Sequence, residues 1–344
     1  MPIIKHTELA DFVDRLFQAA GAPADTAHFV AQSLVASDLA GHESHGVVRA
    51  TQYLDTAEAG GLDPRAEPTI VRETATTALI DGHWGFGQVT ARFAMNTAID
   101  KAQAQGVAAA GVLNCNHIGR VGEWTQMATD HNMIGLGFCN GGRPGGIVAP
   151  YGGAGRLLGT NPIAAAFPVA GRPPVNADFA TSVAAEGKVR VALNRGKPLP
   201  AGWILGPDGQ PSTDPADLYA GGVLLPAAGH KGYGLSLMVD LLGGVLTGRG
   251  CCALPGFQTG NGVLFIVLSI EAFRPLDGFL ADAATLCEEA KSVPPAANFD
   301  EVMLPGEPEQ RRTAQRLADG IAVDEATWGQ LLAAAHARGV TAPA

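Results

Sequence analysis

Apolar positions along the chain change period several times, and the changes mark out its elements. Near the start, Leu9, Phe12, Val13, Leu16 and Phe17 fall at helical spacing and Gly21 follows them, which predicts a helix over 8–20; a second helical run covers 24–40. "TTALIDG" (76–82) reads as a strand, 88–105 as a helix, "VAAAGVLNCN" (107–116) as a strand, 120–131 as a helix and "MIGLGFCN" (133–140) as a strand. Strands alternating with helices predict an α/β region with some parallel sheet. Glycine and proline predict loop over 141–159; "PIAAAFPV" is another strand, and 194–215 is a long irregular excursion, the kind of loop that is functional or an interface arm. "GYGLSLMVDLLGGVLTG" returns to helix, "VLFIVLSI" (263–270) is an apolar strand, and 307–339 is helical and polar. Helical ends around a sheet-bearing centre predict that the two ends pack together as one discontinuous domain, 1–75 with 275–344, beside a domain of 76–274. No internal repeat or low-complexity tract interrupts this order.

Composition narrows the class. Hydrophobic residues make up 47% of the 344 and charged residues only 16%, yet no run approaches the roughly 18 apolar residues of a membrane span, so the surplus is read as subunit interface. A net charge of −10 disfavours nucleic acid and anionic membranes as partners and requires any anionic substrate to find a locally positive pocket. Five cysteines without a C-x-x-C pair read as reduced thiols, and the charged, amphipathic start lacks a signal-peptide core, so a cytoplasmic protein is expected.

The richest short stretch is "GHESHGVVRATQY" (41–53). His42 and His45 stand three apart, whereas zinc hydrolases use H-E-x-x-H, and neither His117 nor His131 is specified as a third ligand, so no metal is expected. Ser44 beside His45 has no G-x-S-x-G elbow and is disfavoured as a nucleophile. "GFGQVT" (85–90) and "GGAGRLLG" (152–159) match the dinucleotide fingerprint incompletely, and a tight turn explains each better. His117, in "NCNHIGR", falls at a strand-to-helix turn where α/β sheets place ligand-handling groups. Position alone supports a proton-transfer role and a structural loop histidine equally. Arg49, one helical turn beyond His45, could clamp a carboxylate or form a surface ion pair. Lys231 in "GHKGYG" lies between glycines, where main chain and ammonium can both approach a phosphate.

Seven ordered segments, "SHGVVRATQY", "NCNHIGR", "GTNPIAAAFP", "DFATS", "GWILGPDGQPSTDP", "GHKGYGL" and "PGE", resemble the malate/L-lactate dehydrogenase family over about residues 5–340. This is the sulfolactate-dehydrogenase-like group, distinct from Rossmann-type lactate dehydrogenases. The resemblance implies a mixed-sheet NAD(P)-binding α/β domain over 76–274 without the Rossmann fingerprint, plus a helical substrate and dimerisation domain. It implies NAD or NADP as cofactor, a homodimer or larger assembly, and a small anionic carboxylate as substrate. The reaction would move hydride between nicotinamide C4 and C2 of a 2-oxo/2-hydroxy acid; reduction of cyclic imino acids is the alternative. His117 matches the family's acid/base histidine, Arg49 the arginine that binds the substrate carboxylate, and Ser44 and His45 the pair lining the substrate and nicotinamide. Asp178, Phe179 and Ala180 match a cofactor-holding D-x-A segment, Lys231 a cofactor-contacting lysine, Asn140 and Gly141 an Asn-Ser contact, and Thr160 the loop bordering the nicotinamide. Two segments depart from the family pattern: "NGGRPGG" near residue 140, which adds Arg143, and "GNGVLF" after Gly260. Arg143 and Arg195 are candidates for meeting a 2′-phosphate.

Overall fold

The computed structural model describes residues 1–343. A seven-stranded sheet runs β2 (Thr69–Glu73), β3 (Thr77–Asp81), β4 (Val107–Cys115), β11 (Gly260–Ser269), β5 (Met133–Gly142), β6 (Ile163–Phe167), β7 (Val175–Phe179). Only β3 and β4 pair in parallel, joined by helix α4 (Gly87–Gln105); every other neighbouring pair is antiparallel. The expected parallel content therefore shrinks to one β-α-β unit. The reason is β11, which arrives late in the chain and lies between β4 and β5, antiparallel to both. Its Val263, Phe265 and Val267, alternate residues on one face, are fully buried, and Leu264 on the other face is 7% exposed. Helix α4 lies on this sheet through Ala91, Ala94, Ala98 and Ala102, and β4 answers with Ala108 and Ala110. Small side chains on both sides let helix and sheet approach closely.

A second core is built from larger side chains. Helices α1 (His6–Ala19), α2 (Ala24–Leu39) and α3 (Val48–Glu58) bury Phe12, Leu16, Phe17, Leu34 and Leu54 together with Ile321, Leu331 and Ala335 from the far end of the chain. Strand β1 (Ile3–Ile4) pairs with β12 (Ile321–Ala322), which interrupts the helical end expected over 307–339 and divides it into α10 (Glu307–Asp319) and α11 (Glu325–Arg338). Helix α9 (Leu276–Ser292) packs elsewhere, through Cys287 against Val169 and Leu304.

Other boundaries shift for local reasons. The helix expected over 120–131 is α5 (Val121–Met127), continued as a 3₁₀ turn that closes on left-handed Asn132. Strand β5 extends to Gly142, into the segment expected to be loop, because β11 pairs with it as far as Gly260. The 194–215 excursion follows α6 (Glu186–Asn194) and contributes β8 (Ile204–Leu205) and β9 (Pro211–Ser212) to a small sheet; α7 (Pro215–Tyr219) leads to its third strand, β10 (Val223–Leu224). Helix α8 (His230–Val239) widens into a π-helical turn over Asp240–Val245. Gly243 and Gly244 sit there because a Cβ on either would meet the main chain of Gly262 or the side chain of Asn140. Among the described residues no helix is long and apolar enough to cross a membrane. All five cysteines are unpaired and buried.

Candidate active site

A cavity of about 640 Å³ opens between α3, the β4–α5 turn and the ends of β5 and β11. The β4–α5 turn is heavily tied down. Asn114 adopts left-handed φ 49°, which asparagine tolerates, and the Asn116 side-chain amide donates to the carbonyls of Gly61, Trp84 and Gly85. The Ile118 N–H donates to Asn261 Oδ1 on β11 (3.0 Å), and the Ile118 carbonyl accepts from the buried Trp124 indole (3.0 Å). Gly87 packs directly beneath: a Cβ there would collide with the carbonyls of Asn116 and His117. The G-x-G of "GFGQVT" thus serves close packing of the His117 turn on helix α4.

His117 sits at the centre of a hydrogen-bonded chain. Its Nε2 lies 2.9 Å from His45 Nδ1, its Nδ1 lies 2.7 Å from the Tyr53 hydroxyl, and Gln88 Nε2 donates to that hydroxyl at 2.8 Å. The two imidazoles are nearly coplanar, 7° apart with centroids at 5.1 Å, so they meet edge to edge through the shared proton position. Both His117 nitrogens are engaged; His45, which lines the cavity, keeps its Nε2 without a hydrogen-bond partner among the described residues. Burial, reinforced by Arg49, holds His45 down at about 3, and burial with His45 and Arg49 nearby holds His117 well below its ordinary value. The pair is therefore neutral at neutral pH. Tyr53 is pushed the other way by burial and stays a phenol.

His45 ends a short 3₁₀ turn, Glu43–His45, anchored from α2. The Asp38 carboxylate accepts the Val47 N–H at 2.8 Å, and Gly46 packs so tightly on it that a Cβ would overlap its oxygens. Burial pushes Asp38 up to about 7. Arg49 donates to the Ser44 carbonyl and to Gln52 Oε1, both at 2.6 Å and both neutral. No carboxylate among the described residues pairs with Arg49, and it lines the cavity.

The expected residues divide by location. His45, Arg49, His117, Gly141 and Thr160 line this cavity. Ser44 is not among the lining residues; it packs against Gly187 of α6, and its carbonyl holds Arg49. Asn140 lies beneath, wholly buried: its amide donates to Asp240 Oδ1 and the Gly250 carbonyl and accepts from the Gly262 N–H. That network holds Gly141 at the wall. Asp178 and Phe179 border a second cleft of about 820 Å³, with His42, Arg120 and the Pro305–Gly306 turn. There Asp178 accepts the Gly122 N–H at 2.7 Å, and Phe179 is 50% exposed. Ala180 follows β7 directly, and Lys231 stands exposed on the first turn of α8; neither lines either cavity. Arg195 caps α6 away from both, whereas Arg143 lines the first. Tyr53, Gln88 and Asp38 were not singled out from sequence. The available signal was polar residues inside otherwise apolar helical faces.

The malate/L-lactate dehydrogenase family model matches residues 4–332. A malate dehydrogenase of Pyrococcus abyssi is 38% identical, covering 98% of this chain and 95% of its own. The solved sulfolactate dehydrogenase of Methanocaldococcus jannaschii superposes with a TM-score of 0.91 at 34% identity, over 99% of this chain and 98% of its own. A Δ1-piperideine-2-carboxylate reductase from Pseudomonas syringae superposes with a TM-score of 0.85 at 30% identity, over 97% of this chain and all (100%) of its own.

Proposed function

This chain belongs to the malate/L-lactate dehydrogenase family and is an oxidoreductase acting on a CH–OH group, and from that premise we propose that it interconverts a small 2-hydroxy acid and its 2-oxo acid with NAD or NADP. What carries the reading is the His45–His117–Tyr53–Gln88 chain, ending in a cavity whose Arg49 has no acidic partner among the described residues. Arg49 takes the substrate carboxylate and so fixes C2. His117 is the acid/base. In oxidation the neutral histidine pair accepts the hydroxyl proton, through His45 Nε2 in the resting geometry; in reduction the proton returns to the carbonyl oxygen. Tyr53, hydrogen-bonded to Nδ1, steadies the charge that His117 gains. Ser44, held by its carbonyl to Arg49, helps fix the substrate end.

The nicotinamide, when bound, supplies or accepts the hydride. The cavity suits it: Gly119, Gly141, Gly159 and Gly260 leave bare main chain along the wall, against which a flat ring can lie. Gly141 and Thr160 would hold that ring, with Asn140 bracing Gly141. Asp178, Phe179, Ala180 and Lys231 are assigned to the remainder of the nucleotide, on their match to the family's cofactor segments. Two further readings belong here. The division into 1–75 with 275–344 and 76–274 is supported by the core shared between α1–α3 and Ile321, Leu331 and Ala335, and fits α9 least. A homodimer or larger assembly is supported by Leu241 (58% exposed) and Leu246 (66% exposed), which continue an apolar face from α8.

The test follows absorbance at 340 nm with each nucleotide against pyruvate, oxaloacetate, 2-oxoglutarate and two cyclic imino acids, Δ1-piperideine-2-carboxylate and Δ1-pyrroline-2-carboxylate. Turnover of a 2-oxo acid that drops about 10²–10⁴-fold in His117→Ala is expected. Near-normal turnover in that variant removes His117 from the role. Turnover confined to the imines moves the chain to the second reading, which its likeness to the piperideine-carboxylate reductase supports.

A further inference from the structure

We infer that Arg143 is a second anion-binding residue of the catalytic cavity, so that the preferred substrate is a dianion: a 2-oxo or 2-hydroxy acid with a further carboxylate or sulfonate on its far end. The inference rests on the proposed reaction and deepens it. Arg143 lines the same cavity as His117 and Arg49. Arg49 projects from helix α3, whereas Arg143 sits on the loop that follows β5.

That loop is shaped. Gly142, Gly145 and Gly146 all hold positive φ, the Gly145 N–H donates to the Cys252 carbonyl, and the Gly146 N–H donates back to the Arg143 carbonyl. A Cβ on Gly146 would strike the main chain of Leu157 and Leu158. The turn is therefore pinned at both ends, with the Arg143 side chain at its tip.

Charge around it is unbalanced. Among the described residues, no carboxylate forms an ion pair with Arg143. Another guanidinium, Arg156, feels the charge of Arg143 and is itself spent on the carbonyls of Leu218 and Gly222. The cavity's single acid, Glu186, is already bonded to the Tyr219 hydroxyl (2.7 Å) and Arg190 (3.2 Å). Two guanidiniums without acid partners among the described residues thus line one cavity of about 640 Å³, in a chain whose net charge is −10. A monocarboxylate satisfies one of them; an acid with anionic groups at both ends satisfies both. The 2′-phosphate of NADP is a poorer occupant, because it lies at the end of the dinucleotide remote from the nicotinamide, whereas Arg143 shares its cavity with the acid/base pair.

Two measurements test this on the full-length enzyme, in wild type, Arg143→Gln and Arg143→Lys. The first is kcat/KM for oxaloacetate and for pyruvate. Arg143→Gln should lower it about 10- to 100-fold for oxaloacetate, the worth of a charge-assisted bond, and less than about threefold for pyruvate, with Arg143→Lys in between. The second is calorimetric binding of malate and of lactate to the enzyme–NADH complex, with NADH binding measured alone. Malate should lose affinity about 10-fold or more in Arg143→Gln while lactate and NADH are unmoved. Equal losses for mono- and dianions, no loss for either, or weakened NADH binding overturns the inference, the last by handing Arg143 to a nucleotide phosphate. Absence of turnover with every 2-oxo acid counts against the reaction itself, and the binding comparison then still decides the role of Arg143.

Discussion

The two clefts of this molecule differ in a way that their sizes do not suggest. The larger, about 820 Å³, is walled by Leu39, Met303, Leu304 and Leu317; there His42 pairs with Glu309 and Asp178 takes a main-chain N–H, while Arg120 keeps a buried Nε without a partner among the described residues. The smaller, about 640 Å³, is walled by glycine main chain, and its two arginines, Arg49 and Arg143, have no carboxylate partner among the described residues; Arg49 is held only by the neutral Ser44 carbonyl and Gln52. What separates the clefts is the hydrogen-bonded His45–His117–Tyr53 chain, which reaches the smaller one.

Variants can break or sharpen this contrast. The largest effect should come from the histidine pair. His45→Ala and His117→Ala should each lower kcat about 10²–10⁴-fold, and the double variant should be little worse than the poorer single, as for groups acting as one unit. Multiplying losses in rapid-quench or steady-state assays would separate them. Next comes Gly87→Ala, whose methyl meets the carbonyls under His117; a loss of about 1–3 kcal/mol in urea unfolding is expected, with kcat reduced too. Tyr53→Phe keeps the ring and removes one partner of His117, so about a tenfold fall in kcat is expected, visible in the same assay. In the other cleft, Phe179→Ala should change kcat less than about twofold and act, if at all, on the KM for nucleotide; a large kcat effect would erase the contrast.

The smallest effect concerns pH and stability. His45 and His117 titrate lower in the folded than in the unfolded chain, so the stability they contribute is present above about 6.5 and lost as pH falls below it. Asp38 and Glu123, both pushed by burial up to about 7, act oppositely: the unfolded chain ionises them near 4, so stability declines as pH rises from there to about 7. Asp38→Asn removes one such decline while keeping an acceptor for the Val47 N–H. Its melting temperature relative to wild type should improve between pH 5 and pH 8; a flat difference in calorimetry would contradict the raised titration of Asp38. Carboxylate binding at Arg49 removes one cause that depresses the histidines, so the acid limb of kcat should lie above that of kcat/KM.

Much of this was legible from sequence because it is local. The stripe Leu9, Phe12, Val13, Leu16, Phe17 determines α1 without reference to anything distant. The arrival of His45, Arg49 and His117 in one cavity matched residue types and motif order. The place of β11 was not legible: strand pairing across more than a hundred residues leaves no periodic trace. Tyr53 and Gln88 escaped notice for a related reason. Each reads as an ordinary helix position until the fold brings it to His117. The glycines of "GFGQVT" misled in kind, since close packing and phosphate approach favour the same residue.

The position of β11 also has a kinetic side. Until residues 260–269 leave the ribosome, β4 and β5 each carry an unpaired inner edge, and the sheet cannot close. Long-range pairing of this sort folds slowly and leaves strand edges open to intermolecular pairing meanwhile. Because the Ile118 N–H that steadies the His117 turn bonds to Asn261 of that same strand, that turn is completed only once β11 is in place. A nascent or truncated chain ending before β11 would be sticky and inactive at once, so activity reports closure of the sheet.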